Sequence, residues 1–275
     1  MDSMKARLLT AAIGIPLAVV LLILGERFNL IMYIIVSLLS FIMVFELLSA
    51  KRLHKNLFVF IPCAVYAILQ PLVIPLKLGY FTIFAYVLVM FFIMIFRNEY
   101  VSYTDLSFAV LGELIIVLGM SSILILPPKY DNCYTIFFVL SIGIPWCADA
   151  GAYFAGVFLG RHKLCPRISP NKTVEGFIGG LIAGVISAAI IGFVYTFLYE
   201  KASFNYIVIM LIGLFASLVS VLGDLSFSLI KRSCGIKDYG SFFPGHGGFL
   251  DRFDSVIFAS PIVYFIGKAF VIFSF

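Results

Sequence analysis

The sequence predicts an all-α, polytopic integral membrane protein with about nine transmembrane helices and a cytoplasmic N-terminus. Three observations support this fold class: the composition, the spacing of the apolar runs and the distribution of the basic residues. Of the 275 residues, 63% are hydrophobic and only 12% are charged, whereas a soluble domain has about 45–50% apolar and about 25% charged residues. A soluble protein of this length could not enclose so much apolar surface, so lipid must be the solvent for most of the chain.

The apolar runs have the length that a membrane-spanning helix needs, about 20 residues, and short polar breaks separate them. The first run follows Lys5 and Arg7 but is longer than the apolar core of a signal peptide, so we predict a retained helix. The nine predicted helices cover 8–25, 29–50, 57–76, 79–96, 106–126, 135–160, 174–199, 205–230 and 252–274.

The basic residues predict the orientation of these helices. With the N-terminus in the cytoplasm, 14 lysines and arginines fall in inside segments and four in outside segments, while Lys268 falls in the last helix. Because cytoplasmic loops carry the excess of Lys and Arg, the opposite orientation would violate the positive-inside rule. The two longest loops, 161–173 and 231–250, are therefore expected to face the cytosol.

We expect a single membrane domain over residues 1–275. Residues 1–130 are its N-terminal helices, to which the sequence assigns no role, and residues 135–275 carry the two long loops with the candidate catalytic residues. The five cysteines lack CxxC spacing, which argues against a zinc site. Basic cytoplasmic loops account for the net charge of +5, so we expect no nucleic-acid partner.

Four aspartates lie in, or directly before, the predicted helices that flank the two long loops: Asp149, Asp224, Asp251 and Asp254. A charge in the hydrocarbon core costs at least a few kcal/mol, so each needs a reason. Asp251 and Asp254 share one face at the start of a helix because they are three residues apart. Carboxylates at similar depth repel without a cation, and oxygen ligands favour Mg²⁺, so we predict a magnesium site of Asp224, Asp251 and Asp254. The alternative is a set of buried ion pairs with neighbouring cations, namely Lys231, Arg232 or Arg252.

Two further acids, Glu46 and Glu113, are isolated on predicted helices of the N-terminal half. An acid inside a span needs a partner or a water-filled cavity. We therefore interpret both glutamates as structural hydrogen-bond partners or cavity-lining groups rather than catalysts.

The loop 161–173, RHKLCPRISPNKT, combines cations with hydroxyl and amide side chains directly before a predicted helix. A helix N-terminus offers free N–H groups and a positive dipole end, which suit a phosphate group, and Lys172 would add a point charge. We predict substrate contacts from Ser169, Asn171, Lys172 and Thr173. The alternatives are that Ser169 is a turn residue, that Thr173 is a helix cap, or that the loop only anchors to anionic lipid heads.

The loop 231–250, KRSCGIKDYGSFFPGHGGFL, holds three cations, one histidine and five glycines. The stretch 244–248 permits unusual backbone angles and a close approach to a ligand, and irregular backbone near the membrane is tolerated where it lines a cavity. A lone histidine or glycine-rich turn is a weak signal, but both directly precede Asp251 and Asp254. The predicted binding residues here are Lys231, Arg232, Lys237, His246 and Arg252.

These residues form a pattern that resembles the signature of the phosphatidate cytidylyltransferase family, the CDP-diglyceride synthetases. Across Ser228–Asp254 the chain contains the serine, the Lys-Arg and Lys-Asp pairs, the HGG and the DRxD of that signature at matching spacing. The stretch Asp149–Gly180 is similar to the family's D-T-G-A-Y and S-P-x-K-T motifs, with Ala150 in the threonine position and Arg161-His162 replacing a lysine-rich variant. Residues 1–130 resemble the family only in hydropathy and length.

The resemblance implies an enzyme that transfers CMP from CTP to phosphatidic acid, giving CDP-diacylglycerol and pyrophosphate in phospholipid biosynthesis. It also implies dependence on Mg²⁺ with a K⁺ ion beside it, a homodimer and a cytosolic active site. A short chain without a targeting extension leads us to expect the bacterial inner (cytoplasmic) membrane. By the motif, Asp251 and Asp254, preceded by Asp224, bind the metal, and with Lys172 they are the candidate catalytic residues. Asp149 joins the candidate substrate-binding residues.

Two other classes of function remain open from the sequence. A CTP-dependent lipid kinase would transfer the γ-phosphoryl group and release CDP, so its products differ. A transporter or channel would also carry intramembrane acids and proline-broken spans, such as those at Pro62 and Pro71. Its polar residues, however, would lie midway through the membrane instead of at one face.

Overall fold

The computed structural model of the protein describes residues 25, 28–125, 134–198, 203–240, 242 and 247–274. Eight α-helices follow one another within these residues: α1 Asn29–Ala50, α2 Leu57–Leu72, α3 Gly79–Phe96, α4 Tyr103–Ser121, α5 Tyr134–Leu159, α6 Val174–Leu198, α7 Tyr206–Ser233 and α8 Leu250–Ala269. The predicted helix 8–25 lies outside the described residues, apart from Gly25, and so does the predicted binding residue His246.

Six of the described helices, α1 and α3 to α7, are long and apolar enough to cross a membrane. Helix α2 is apolar but has only 16 residues. It ends at Leu72, and a 3-10 turn over Ile74–Leu76 occupies the rest of the predicted span 57–76. Pro71 and Pro75 explain the break, because proline lacks an N–H donor and crowds the preceding helical turn. The chain is thus an all-α membrane protein with several spans, and the count of nine stays a prediction.

Helix α4 begins three residues before its predicted start because Ser102 caps it. The Ser102 hydroxyl accepts a hydrogen bond from the backbone N–H of Asp105 at 3.1 Å and donates to the Asp105 carboxylate at 2.7 Å. A serine followed three residues later by an acid is a helix-starting pattern, since each satisfies a polar group of the other. The pattern was present in the sequence and was missed there.

The structure adds two short antiparallel ribbons to the predicted helices. Within the loop 161–173, β1 (Lys163–Cys165) pairs with β2 (Ser169–Thr173). After α6 and α8, β3 (Ser203–Phe204) pairs with β4 (Phe273–Ser274). Backbone N–H and C=O groups outside helices still need partners, and the ribbons supply them at both places.

The chain divides into two compact units, each built from two stretches of sequence. Unit 1 comprises Met1–Leu124 and Ser233–Phe253, and unit 2 comprises Ile125–Arg232 and Asp254–Phe275. Nearly all of the loop 231–250 and the first turn of α8 therefore belong with the N-terminal helices. The expectation of a single membrane domain over residues 1–275 stays a prediction.

Unit 1 encloses a buried polar cluster between three of its helices. Glu113 on α4 is fully buried and accepts a hydrogen bond from the hydroxyl of Tyr86 on α3. The Cys63 sulfur on α2 lies 3.4 Å from the same hydroxyl, and the Tyr66 ring stacks on Tyr86 with centroids 4.3 Å apart. A buried polar group stabilises a fold only when it is hydrogen-bonded. Glu113 is therefore a structural hydrogen-bond partner, as predicted.

In unit 2, glycines allow neighbouring helices to approach closely. A Cβ atom at Gly176 on α6 would lie 2.7 Å from the carbonyl oxygen of Ala152 on α5. A Cβ atom at Gly213 on α7 would lie 2.7 Å from the carbonyl oxygen of Gly184 on α6. Helices in lipid associate through close packing instead of the hydrophobic effect. These contacts therefore fix α5, α6 and α7 side by side, with the loop 161–173 joining α5 to α6.

Candidate functional site

The loop 161–173 folds back onto the first turn of α6. One oxygen of the Glu175 carboxylate accepts hydrogen bonds from the backbone N–H groups of Arg161 at 3.0 Å and His162 at 3.2 Å. The other oxygen lies 2.6 Å from Nδ1 of His162, and Val174 N–H donates to the His162 carbonyl at 2.9 Å. An acid in the first turn is also favoured by the positive end of the helix dipole. The loop is therefore held in a defined conformation.

Thr173 ends β2 and caps α6. Its side chain is buried, and its hydroxyl accepts a hydrogen bond from the N–H of Gly176 at 3.1 Å. This is N-cap geometry, the structural alternative that the sequence left open for Thr173. Ser169 is half-buried and Asn171 is exposed on the same strand, and the substrate contacts assigned to all three remain predictions.

Lys172 and Asp224 form an ion pair within unit 2. Lys172 on β2 reaches Oδ2 of Asp224 on α7, and about a quarter of each side chain, 25% and 26%, is exposed. The hydroxyl of Ser228, one turn further along α7, donates to Oδ1 of Asp224 at 3.3 Å. From the sequence we predicted that Lys172 binds a phosphate and that Asp224 binds a metal. The ion-pair partners considered there for the aspartates were Lys231, Arg232 and Arg252, and not Lys172. The two opposite charges neutralise each other in this arrangement.

Asp254 on α8 is a second acid of unit 2 and is only 6% exposed. It lies within electrostatic range of Asp224, Asp149 and Lys231, and Lys231 on α7 is itself only 9% exposed. One oxygen of Asp254 accepts a hydrogen bond from the N–H of Ser255 at 2.7 Å. The Ser255 hydroxyl donates to Asp149 on α5 at 3.3 Å. Helices α5, α7 and α8 thus each contribute one of the predicted acids to this unit.

Asp251 belongs to unit 1, where it organises the glycine-rich loop. Its Oδ2 accepts hydrogen bonds from the N–H groups of Tyr239 at 2.8 Å and Gly248 at 3.0 Å. Gly247 has φ of +82°, a left-handed conformation that glycine adopts readily. Lys237 and Arg252 are exposed residues of the same unit. The structure therefore gives Asp251 backbone partners and places Asp224 and Asp254 in unit 2.

Unit 2 contains two of the three acids predicted to bind Mg²⁺, Asp224 and Asp254. No group of three or more His, Cys, Asp or Glu side chains in the described part of the chain is arranged to hold a metal ion. Mg²⁺ usually takes only one or two carboxylates and completes its shell with water and phosphate oxygens. Asp224 and Asp254 would supply that number of carboxylates, and the magnesium site stays a prediction. The predicted participation of Asp251 stays a prediction.

Glu46 contacts the glycine-rich loop, which the sequence did not indicate. Its carboxylate accepts hydrogen bonds from the N–H groups of Phe249 at 3.1 Å and Leu250 at 2.7 Å. The prediction of a structural hydrogen-bond partner is confirmed for Glu46. Its partner segment lies about 200 residues further along the chain, and no local pattern could connect the two.

Comparison with known proteins places the whole chain among similar sequences. A family model described as the cytidylyltransferase family matches residues 5–270. A phosphatidate cytidylyltransferase of Bacillus subtilis (strain 168) is 33% identical over 279 residues, which cover 97% of this chain and 98% of that protein. Proteins of the same name from Staphylococcus aureus (strain COL) and Staphylococcus saprophyticus are 34% and 32% identical, each over 94% of this chain and 97% of the relative. These matches extend into residues 1–130, where the residues alone showed a likeness only in hydropathy and length.

Proposed function

Because the chain belongs to the cytidylyltransferase family, we propose that it is a phosphatidate cytidylyltransferase. It transfers CMP from CTP to phosphatidic acid and gives CDP-diacylglycerol and pyrophosphate. The observation that carries this proposal is 33% identity, over 97% of the chain, to a relative of that name. The protein is thus a membrane-embedded nucleotidyltransferase of phospholipid biosynthesis.

The reaction requires charge neutralisation more than proton transfer. A phosphate oxygen of phosphatidic acid attacks the α-phosphorus of CTP, the bond to the bridging oxygen breaks, and pyrophosphate leaves with the electron pair. The attacking phosphate is already anionic near neutral pH, so no general base is needed. Positioning and electrostatic stabilisation are what a protein supplies to such a transfer.

Two lysines of unit 2 supply positive charge for the phosphates. Lys172 holds Asp224, and we propose that it exchanges this carboxylate for a phosphate oxygen when substrate binds. Lys231 is buried near Asp254, where an ammonium group would attract a phosphate strongly because little water screens it. The other proposed substrate-binding residues rest on the sequence pattern: Ser169, Asn171, Thr173, Arg232, Lys237, His246, Arg252 and Asp149.

Mg²⁺ is the proposed cofactor. Asp224 and Asp254 would hold it, and when bound it would neutralise phosphate charge and stabilise the departing pyrophosphate. The residues themselves place two oxygen donors beside two lysines in one unit. Asp251 as a further ligand and K⁺ as a second ion are proposed from the family signature alone.

We further propose that the N-terminus and the two long loops lie in the cytosol and that the protein resides in the bacterial inner membrane as a homodimer. The distribution of basic residues supports the orientation. In unit 1, Lys51 pairs with Asp105 at 2.7 Å, and the Asn56 side chain donates to the Tyr100 carbonyl at 2.8 Å. These contacts hold the segments 51–56 and 97–105 at one end of the unit, as the nine-helix topology requires. The homodimer rests on the family resemblance.

A turnover assay tests the proposed function. Detergent-purified protein would receive CTP, phosphatidic acid and Mg²⁺, and both CDP-diacylglycerol and pyrophosphate would be followed. We expect the two products in equal amounts and a loss of about 10²–10³-fold in kcat in Asp224→Asn, the size typical for removing one electrostatic contact to a transition state. Asp105→Asn is the matched control, because it also removes an ion-paired aspartate, and it should stay within about twofold of wild type.

Other reaction products would contradict the proposed activity and identify a different one. CDP and a phosphorylated lipid would identify a CTP-dependent lipid kinase. If a folded protein binds CTP but forms neither CDP-diacylglycerol nor pyrophosphate, phosphatidic acid is not the acceptor. Equal losses in Asp224→Asn and Asp105→Asn would contradict a specific role of Asp224.

A further inference from the structure

Glu46 occupies a position that no part of the family signature covers. It lies on α1, about one turn before the end of that helix, and is only 6% exposed. Its two carboxylate oxygens have separate partners: Oε1 accepts from the N–H of Phe249 and Oε2 from the N–H of Leu250. Leu250 is the first residue of α8, so its N–H has no acceptor within the helix. A distant side chain therefore caps α8 and complements its dipole.

Two glycines of the loop fit directly against this carboxylate. A Cβ atom at Gly248 would lie 2.5 Å from Cδ of Glu46, and one at Gly240 would lie 3.0 Å from it. Any side chain at these positions would push the carboxylate away or displace the loop backbone. The loop backbone therefore passes Glu46 closely at two points that are eight residues apart.

Asp251, which directly follows the loop, also binds the loop backbone. Its Oδ2 accepts from the N–H groups of Tyr239 and Gly248. Four backbone N–H groups of residues 239–250 thus converge on two carboxylates, Glu46 and Asp251. Hydrogen bonds from N–H groups to an ionised acceptor are about twice as strong as neutral ones. Removing the Glu46 carboxylate would therefore free the N–H groups of Phe249 and Leu250 and loosen the backbone next to Asp251.

We propose that Glu46 is a positioning residue for the transfer reaction: it fixes the backbone from Gly248 to Leu250 and thereby sets the orientation of Asp251. The inference rests on the proposed function, in which Asp251 takes part. The hydrogen bonds that Glu46 makes to described residues go to the end of the loop and the start of α8. Through Glu46, the N-terminal helices would contribute to catalysis, a role that the sequence did not assign to them.

The test compares Glu46→Gln with Glu46→Asp and with Glu113→Gln. Glu113 provides a matched control, because it is a buried glutamate of the same unit whose partner is Tyr86. For Glu46→Gln we expect kcat to fall about 10–100-fold, as when a group that orients a functional residue is lost, while KM for CTP changes less than about threefold. Glu46→Asp keeps the charge and should recover part of kcat, and Glu113→Gln should match wild type.

A second measurement does not depend on activity. Trypsin would be added to the purified protein without substrate, and cleavage after Lys237 and Arg252 would be timed by mass spectrometry. We expect cleavage to be at least threefold faster in Glu46→Gln than in wild type and Glu113→Gln, at unchanged thermal midpoint. If Glu46→Gln does not fold, Gly240→Ala displaces the carboxylate while leaving it in the chain and should give the same pair of effects.

Three outcomes would overturn the inference. Glu46→Gln with normal kcat and normal tryptic cleavage would show that the loop does not depend on this carboxylate. A lower KM for CTP in Glu46→Gln would show instead that Glu46 occupies an anion site and competes with substrate. Equal losses in Glu46→Gln and Glu113→Gln would assign both to general stability. An inactive wild type would contradict the proposed function, whereas the cleavage comparison would still decide the role of Glu46.

Discussion

At the scale of single residues, the Lys172–Asp224 pair is the most informative contact of unit 2. An ion pair that is three-quarters buried gains Coulomb energy but loses hydration, so burial alone does not make such a pair stabilising. Lys172 belongs to a motif that resembles the family, and Asp224 lies four residues before the Ser228–Asp254 signature. Such a pair takes part in substrate binding if Lys172 leaves the Asp224 carboxylate and binds a phosphate oxygen of the substrate.

Exchange of the two charges distinguishes a structural pair from a catalytic one. We expect Lys172→Asp and Asp224→Lys each to lower activity about 100-fold or more and to lower the thermal midpoint in detergent. The double variant should regain the thermal midpoint, because the ion pair is re-formed, but it should stay inactive, because the cation and the carboxylate have changed places. Such coupling between neighbours is what a double-mutant cycle measures.

The somewhat more exposed pair Lys51–Asp105 offers the control for this exchange, since it joins α4 to the end of α1 at 2.7 Å. Its exchanged variant should keep activity near wild type. Recovery of activity in the Lys172→Asp, Asp224→Lys double variant would show that the pair is only structural.

At the scale of elements, the contacts between α5, α6 and α7 depend on residues without bulk. Gly184 and Gly213 face each other across α6 and α7, and a Cβ atom at Gly213 would lie 2.7 Å from a backbone oxygen, 2.8 Å from the Cβ atom of Ala188 and 2.9 Å from the Cα atom of Val185. None of these atoms is the flexible end of a side chain. Because α7 carries both Asp224 and Lys231, a shift of this helix would move the candidate site.

Gly213→Ala should therefore destabilise the protein despite the higher helix propensity of alanine. We expect a loss of about 1–3 kcal/mol from overpacking, measured as a lower thermal midpoint and accompanied by reduced activity. Gly143→Ala is the matched control on α5, because a Cβ atom there meets only the end of the Ile191 side chain, at 3.2 Å. It should be neutral or slightly stabilising. Equal midpoints for the two variants would contradict the importance of the α6–α7 contact.

At the scale of the whole molecule, each unit places its connecting segments at defined ends. In unit 1, α1 ends beside the start of α4 through Lys51 and Asp105, and Glu46 joins the same end of α1 to the start of α8. In unit 2, β3 and β4 bring residues 203–204 and 273–274 together at the start of α7. The proposed topology would put residues 97–105 in the cytosol and residues 203–204 outside the cell.

Cysteine labelling tests this topology in intact bacterial cells. In a background with the five native cysteines replaced, we expect Ser203→Cys to react with a membrane-impermeant maleimide from outside. Glu99→Cys, in the segment between α3 and α4, should react only after permeabilisation. Both native side chains are exposed, so access to the reagent and not burial decides the result. Labelling in the reverse pattern would invert the proposed orientation.

The class of the protein, most helix positions and the family can be read from the sequence alone. These properties are local: apolar length specifies a span, and motifs such as Ser228–Asp254 are contiguous. The features that the sequence analysis did not predict, such as the Ser102 cap and the β1–β2 ribbon, were also local. They arose because loop residues satisfy their backbone groups in several ways.

Which charged groups contact one another becomes apparent in the folded structure alone. The pairing of Lys172 with Asp224, the separate backbone partners of Asp251 and the contact of Glu46 with residues 249–250 all join distant parts of the chain. Such contacts depend on how closely the helices approach, and glycines such as Gly213 and Gly248 set that distance without a charge pattern of their own. Spacing along one chain cannot encode them, because a buried charge is stabilised by whichever partner the packing brings within reach.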